Sequence, residues 1–202
     1  MKQGQAQVVG FTLITLIMLS VTAVVFIWAN PLIKNSKDVS DLNRIENRMI
    51  LLDNAIIEVA TQKSQRTVDF EIRSGNLLLE SSNRLVYYTN INLPSSSGEK
   101  IVIRGENKTE GGACLNISAK GIIGTDSSSC LILQGSAIYE LYYPILNDST
   151  NCFAIRLKAG NNAGAGKGYH KIKLKYDHLN TSDDSGCLSG SSRKPTVEIN
   201  IE

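Results

Sequence analysis

The stretch VVGFTLITLIMLSVTAVVFIWA, from Val8 to Ala29, contains no charged residue. As a helix its 22 residues extend roughly 33 Å at about 1.5 Å per residue, enough to cross the bilayer hydrocarbon core of about 30 Å. A helix that is apolar on every side has to be surrounded, either by lipid or by other helices. Everything after Asn35 is ordinary soluble sequence with charges spread throughout. A secretory signal would show a shorter apolar core and an Ala-x-Ala-like cleavage site. Here the run ends in Trp28-Ala29-Asn30-Pro31 and flows into a second helical pattern, so the segment reads as one that stays.

That second pattern covers Ser36 to about Lys63. Val39, Leu42, Ile45, Met49, Leu52, Ile56 and Val59 recur at spacings of three and four, which places them on one helical face, while Asp38, Asp41, Arg44, Arg48 and Glu58 fall elsewhere. The run MILLDNAIIEVA at 49–60 is apolar over more than one face and asks for partners on more than one side. Pro31, at the junction, predicts a kink, a loosened turn or a break between two helices.

Beyond Arg66 the period changes to two. Val68, Phe70 and Ile72 alternate in TVDFEIR, Ser74-Gly75-Asn76 carries turn chemistry, and LLLE follows. Further strands are expected at Arg84–Ile91, Lys100–Arg104, Cys114–Ser118, Cys130–Gln134, Ala137–Tyr143, Cys152–Lys158, Tyr169–Tyr176 and Thr196–Ile201, separated by Ser, Gly, Asn and Asp clusters. The expected class is α+β: a long N-terminal hydrophobic-then-amphipathic helix over 5–65, followed by an antiparallel β-sandwich-like domain over 66–202.

The polar part offers little catalytic chemistry. The net charge of +2 lacks the basic excess of a nucleic-acid binder, so no nucleic-acid partner is expected. His170 and His178 stand eight residues apart without an accompanying metal-binding motif, and there is no Gly-x-Ser-x-Gly elbow; no enzyme activity, metal or cofactor is expected. In AGNNAGAGKGYH the phosphate-loop pattern fails twice, because Asn161 stands where its first glycine belongs and Gly168 where its hydroxyl belongs. A long flexible hairpin loop between CFAIRLK and YHKIKLKY is the expectation there. In the second of these strands Lys171, Lys173 and Lys175 alternate with Ile172, Leu174 and Tyr176, as in a solvated face or a guarded edge strand, with an anion-binding stripe as the sharper alternative.

The cysteines Cys114, Cys130, Cys152 and Cys187 form no Cys-x-x-Cys pair, and their even number points to two disulfides in an oxidising compartment. Three pairings are open; the sequence-local one, Cys114 with Cys130 and Cys152 with Cys187, is the expected one. Sequons at Asn107, Asn116, Asn147 and Asn180 are glycosylation sites if this part lies outside the cell, although 17 asparagines among 32 Ser and Thr residues give about three by chance. The positive-inside rule barely chooses a topology, with Lys2 before the span and Lys34 and Lys37 after it. The cysteines and the large folded part favour an outside location for the C-terminal region.

A short polar leader MKQG, an apolar helix, an amphipathic continuation and a β-rich C-terminal part together resemble the type IV pilin superfamily. More narrowly they are similar to archaeal pilins and archaellins with class III signal peptides. The resemblance covers about the first 65 residues. It implies a leader of residues 1–4, with a membrane peptidase cutting after a glycine that follows a basic residue; the matching positions are Lys2, Gly4 and Gln5, with the cut between Gly4 and Gln5. The fifth residue after that cut is Val9, where bacterial pilins usually carry glutamate, a departure tolerated on the archaeal side. The function implied is a structural subunit of an extracellular type IV pilus-like or archaellum-like filament serving adhesion or motility. Its expected partners are further copies through the N-terminal helices, the membrane before assembly, a prepilin-type peptidase, an assembly ATPase and a polytopic membrane platform. The alternative is a membrane-anchored cell-surface protein, or a minor pilin-like component, that does not homopolymerise.

Overall fold

The computed structural model describes residues 3–80, 83–91, 100–105, 119–120, 123, 128–135, 138–147, 151–180 and 191–202. One helix, α1, spans Gln3–Gln62 with Pro31 inside it. The helix is not broken at the proline: a single donor is lost, and the Ile27 carbonyl is the one left without its intrahelical partner. Lys63 ends the helix in the left-handed region at φ 51°, and the Ser64 amide donates back to the Val59 carbonyl at 3.4 Å. This six-residue closure is the Schellman stop, built here on lysine in place of the usual glycine.

Contacts divide the chain into two compact units, Met1–Asn43 and Arg44–Glu202, so the division falls inside α1 and not at its end. The first unit is helical throughout its described residues. The second begins with the last five or so turns of α1 and contains all thirteen strands found among the described residues. They are β1 Gln65–Ile72, β2 Asn76–Glu80, β3 Arg84–Tyr88, β4 Lys100–Arg104, β5 Ala119–Lys120, β6 Cys130–Gln134, β7 Ile138–Tyr142, β8 Leu146–Asn147, β9 Asn151–Phe153, β10 Arg156–Ala159, β11 Gly164–Ala165, β12 Gly168–Asn180 and β13 Ser191–Ile201.

The strands form two sheets. One runs β1-β12-β13-β9-β8-β5 with β10 also on β13; the other runs β11-β2-β3-β7-β6-β4. The class is therefore α+β and mostly antiparallel, as the sequence indicates. Three pairs depart from the antiparallel pattern: β10 with β13, β9 with β13 and β5 with β8 are parallel. Parallel neighbours are joined by long connections, which leave no turn signature of their own. The expected strand at Cys152–Lys158 divides into β9 and β10, and that at Cys114–Ser118 lies outside the described residues.

The glycine-rich stretch is not the hairpin that its composition suggests. β10 pairs with β13, β12 pairs with β1 and β13, and the intervening chain crosses to the other sheet as β11 against β2. Gly160 N donates to Ile199 O and Leu79 N to Ala163 O, both at 2.7 Å, so the crossing is fastened to both sheets. A Cβ at Gly164 would lie 2.5 Å from Leu78 Cδ2, so a larger residue there would require the Leu78 side chain to turn away.

The core of the second unit lies where α1 meets the strands. Met49, Leu52, Ile56 and Val59 are fully buried at spacings of three and four, with Ile45 one turn earlier. Phe70 of β1 and Tyr87 of β3 bring the two sheets together, their ring centroids 6.3 Å apart and their planes at 45°. Register places Leu85, Leu141 and Tyr139 on the Tyr87 face. Each large apolar side chain taken out of water here contributes about 1.5–3 kcal/mol. Cys130 and Ile132, with Val102 and Tyr142, form a smaller cluster on the opposite face of that sheet.

Candidate functional site

Between Phe11 and Ile33, fifteen large apolar side chains are each more than half exposed, from Ile17 at 54% to Ile27 at 76%. No part of the most apolar window of this helix is buried. Single scattered apolar side chains are ordinary, whereas a continuous cylinder of them is compatible with membrane insertion. By length and composition the helix can cross a membrane.

Its few hydroxyls are already satisfied. Thr15, Ser20 and Thr22 donate to the carbonyls of Phe11, Leu16 and Met18 at 2.7–2.8 Å, each four residues back. The side chains thereby present methyl and methylene surface outward and ask for no external partner, which suits either lipid or a neighbouring helix. At Gly10 a Cβ would meet nothing within 4 Å. These slender positions let another backbone come close.

The other end of α1 is fastened by a polar cluster within the second unit. Asp53 has no exposed surface; its carboxylate accepts from Ser129 Oγ at 2.7 Å and from Tyr143 OH at 3.0 Å, and Arg104 Nη1 lies 2.8 Å from Oδ2. Arg104 also donates to Asn54 Oδ1 at 2.5 Å. Burial raises the Asp53 carboxyl above the usual aspartate range, against the lowering effects of the Ser129 hydrogen bond, the Arg104 charge and the Tyr143 hydrogen bond. Burial, then Asp53 itself, pushes the Tyr143 phenol well above its usual range. A buried carboxylate is tolerable only with this set of donors, so the cluster fixes the rotation of α1 on the strands as well as its position.

The leader positions Gly4 and Gln5 lie within the first turns of α1. Cys130 in β6 and Cys152 in β9 are fully buried, and no free cysteine occurs among the described residues. Cys114 and Cys187 lie outside the described residues, as do Asn107 and Asn116. Asn147 ends β8 and Asn180 ends β12. The lysines behave as their period indicates: Lys171, Lys173 and Lys175 are exposed, whereas Ile172 and Leu174 are buried. Their strand is not an edge, because β12 runs between β1 and β13. Lys173 is paired with Glu202 at 2.6 Å, and Asp69 and Glu198 stand opposite Lys171 and Lys175, so acids offset the stripe.

No group of three or more potential metal ligands occurs among the described residues. His170 Nε2 bonds the Gly166 carbonyl at 2.8 Å, and His178 Nδ1 lies 3.0 Å from Asp177 Oδ2, both exposed. Asp53 is the residue that sequence reasoning passed over. Its signal is an aspartate between Leu52 and Ile56 on the most apolar turn of the amphipathic stretch, where a buried charge has to be matched from elsewhere in the chain.

No protein-family model matches this chain, and neither a curated protein nor a solved structure does.

Proposed function

We propose that this chain is a structural subunit of an extracellular filament of the type IV pilus or archaellum kind, used for adhesion or motility. The observation that carries the proposal is the fully exposed apolar half of α1, continuous with a half that is locked into a β-rich unit. Such a helix rests equally well in lipid and among identical helices, so transfer from membrane to filament core costs little hydrophobic energy, while close packing gains dispersion contacts. The β-rich unit would coat that core.

In this reading Gly4-Gln5 is the processing site for a prepilin-type peptidase, and an assembly ATPase and a membrane platform drive polymerisation. Val9 in place of glutamate favours an archaeal source. The buried, non-free Cys130 and Cys152 support disulfides in an extracellular compartment, paired with Cys114 and Cys187 respectively. Asn107, Asn116, Asn147 and Asn180 are then available for glycosylation.

The deciding experiment is electron microscopy of the sheared surface fraction, combined with N-terminal sequencing of its main protein. Filaments whose subunit begins at Gln5 are expected. Full-length protein confined to membranes would overturn the filament reading and leave the alternative, a membrane-anchored surface protein that does not homopolymerise.

A further inference from the structure

A cleft of about 520 Å³ opens on the second unit, lined by Arg48, Asp69, Phe70, Glu71, Tyr169, His170, Lys171 and Glu202. Its volume is in the range of sites that take small organic ligands, about 300–1,000 Å³. The most telling residue in it is Tyr169, 83% exposed although it lies on a regular strand. Its register partner on β1 is Glu71, whose carboxylate accepts from Arg73 Nε at 2.8 Å. The ring stands on the open face of the strand and offers a flat apolar surface to solvent.

Around this plate the polar groups alternate in kind. Asp69, Lys171 and Glu202 form a row across β1, β12 and the residue following β13, acceptor, donor and acceptor in turn. The Glu202 carboxylate is engaged by Lys173 and Asn200, whereas the Asp69 carboxylate and the Lys171 ammonium make no hydrogen bond or ion pair among the described residues. Arg48 Nη1 donates to the Asp69 carbonyl at 3.1 Å and walls the cleft from the side of α1. The lining carboxylates are balanced by Arg48, Lys171 and the flanking Arg73 and Lys173, so the cleft selects neither a polyanion nor a divalent cation. Phe70 is buried, and the His170 imidazole, on the opposite face of β12, is tied to the Gly166 carbonyl, which leaves Tyr169 as the ring that stands open on this face.

A ligand matched to one open aromatic face, with separate donors and acceptors at its rim and no net charge, has an apolar C–H face edged by hydroxyl groups. From this match we infer that the Tyr169 cleft binds a neutral saccharide, one pyranose ring stacking on Tyr169 while its hydroxyls bridge Asp69 and Lys171. Each sugar hydroxyl both donates and accepts, and so pairs with the carboxylate and with the ammonium in turn. The site lies wholly within the second unit and does not depend on polymerisation.

The test uses the full chain in a detergent without a sugar headgroup, with chitotriose and maltotriose as probes, followed by saturation-transfer NMR and calorimetry. Binding of at least one trisaccharide is expected. Tyr169→Ala lowers its affinity about tenfold or more, whereas Tyr169→Phe, which keeps the ring, stays within about threefold. Because Tyr169 is exposed, the alanine variant leaves the core untouched. Absence of binding by both trisaccharides, unchanged binding by Tyr169→Ala, or preference for tetramethylammonium or inorganic phosphate would each overturn the saccharide site. Failure here leaves the filament proposal standing, and loss of filaments leaves this site standing.

Discussion

Leu16 and Leu52 occupy the same helix, yet Leu16 is 64% exposed and Leu52 is fully buried. The first belongs to the unit that ends at Asn43, the second to the unit that contains the strands. Helix formation therefore does not decide burial. Around Leu16 there is no polar face to mark a solvent side, and the helix accepts any apolar surrounding. Around Leu52, the exposed Asn47, Leu51 and Asn54 mark the solvent side, and the remaining face has one orientation in which Met49, Leu52, Ile56 and Val59 all leave water. Asp53 adds a directional constraint that apolar packing lacks, because its donors on Ser129, Tyr143 and Arg104 stand in fixed places.

The contrast can be broken most strongly at Leu52. Leu52→Ala should destabilise the second unit by about 2–5 kcal/mol in denaturant unfolding, the cost of a cavity in a packed core. The same change at Leu16, in detergent, should leave that transition within about 0.5 kcal/mol. Leu16→Arg reverses the roles: a charge at the centre of a membrane helix costs about 2.5–3.5 kcal/mol of insertion, so membrane extraction and filament yield should fall while the unfolding midpoint of the β-rich unit holds.

Asp53 sharpens the comparison through pH. Its carboxyl titrates above the ordinary aspartate value in the folded state, so the folded chain keeps a proton that the unfolded chain has already lost. The associated stability is fully present below the unfolded value and is lost as pH rises through the folded value. Asp53→Asn should remove that decline when unfolding is followed between about pH 4 and 7, and the difference in slope from the wild type isolates this group from carboxylates shifted the other way, such as Asp177. The smallest effect is expected at Leu51, next to Leu52 but 54% exposed: Leu51→Ala should change stability by less than about 0.5 kcal/mol.

Much of this architecture could be read from residue order. Lys100–Arg104 and Cys130–Gln134 coincide with β4 and β6, and the Ile45-to-Val59 face is buried as its spacing indicates. Val39, on the same extrapolated face, is 48% exposed and belongs to the unit that ends at Asn43, not to the one that holds the strands. The glycine-rich stretch misled for a different reason. Ala-Gly-Asn-Asn-Ala-Gly describes a chain that can bend closely, and a hairpin and a crossing between two sheets need the same freedom. Which of them forms depends on Ile199, Leu79 and Asn200, residues far away in sequence.

The sequence alone determined that residues 8–29 form an uncharged helix, that an amphipathic helix continues it and that short strands follow, because hydropathy period and turn chemistry are local properties. The tertiary structure alone decided that Pro31 is carried inside one helix, that three strand pairs run parallel, that Asp53 is matched by Ser129, Tyr143 and Arg104, and that Tyr169 stands open beside Asp69 and Lys171. The parallel pairs join residues 27 to 40 positions apart, and Asp53 finds its partners 51 to 90 positions away, so no local pattern records which of the available partners arrives.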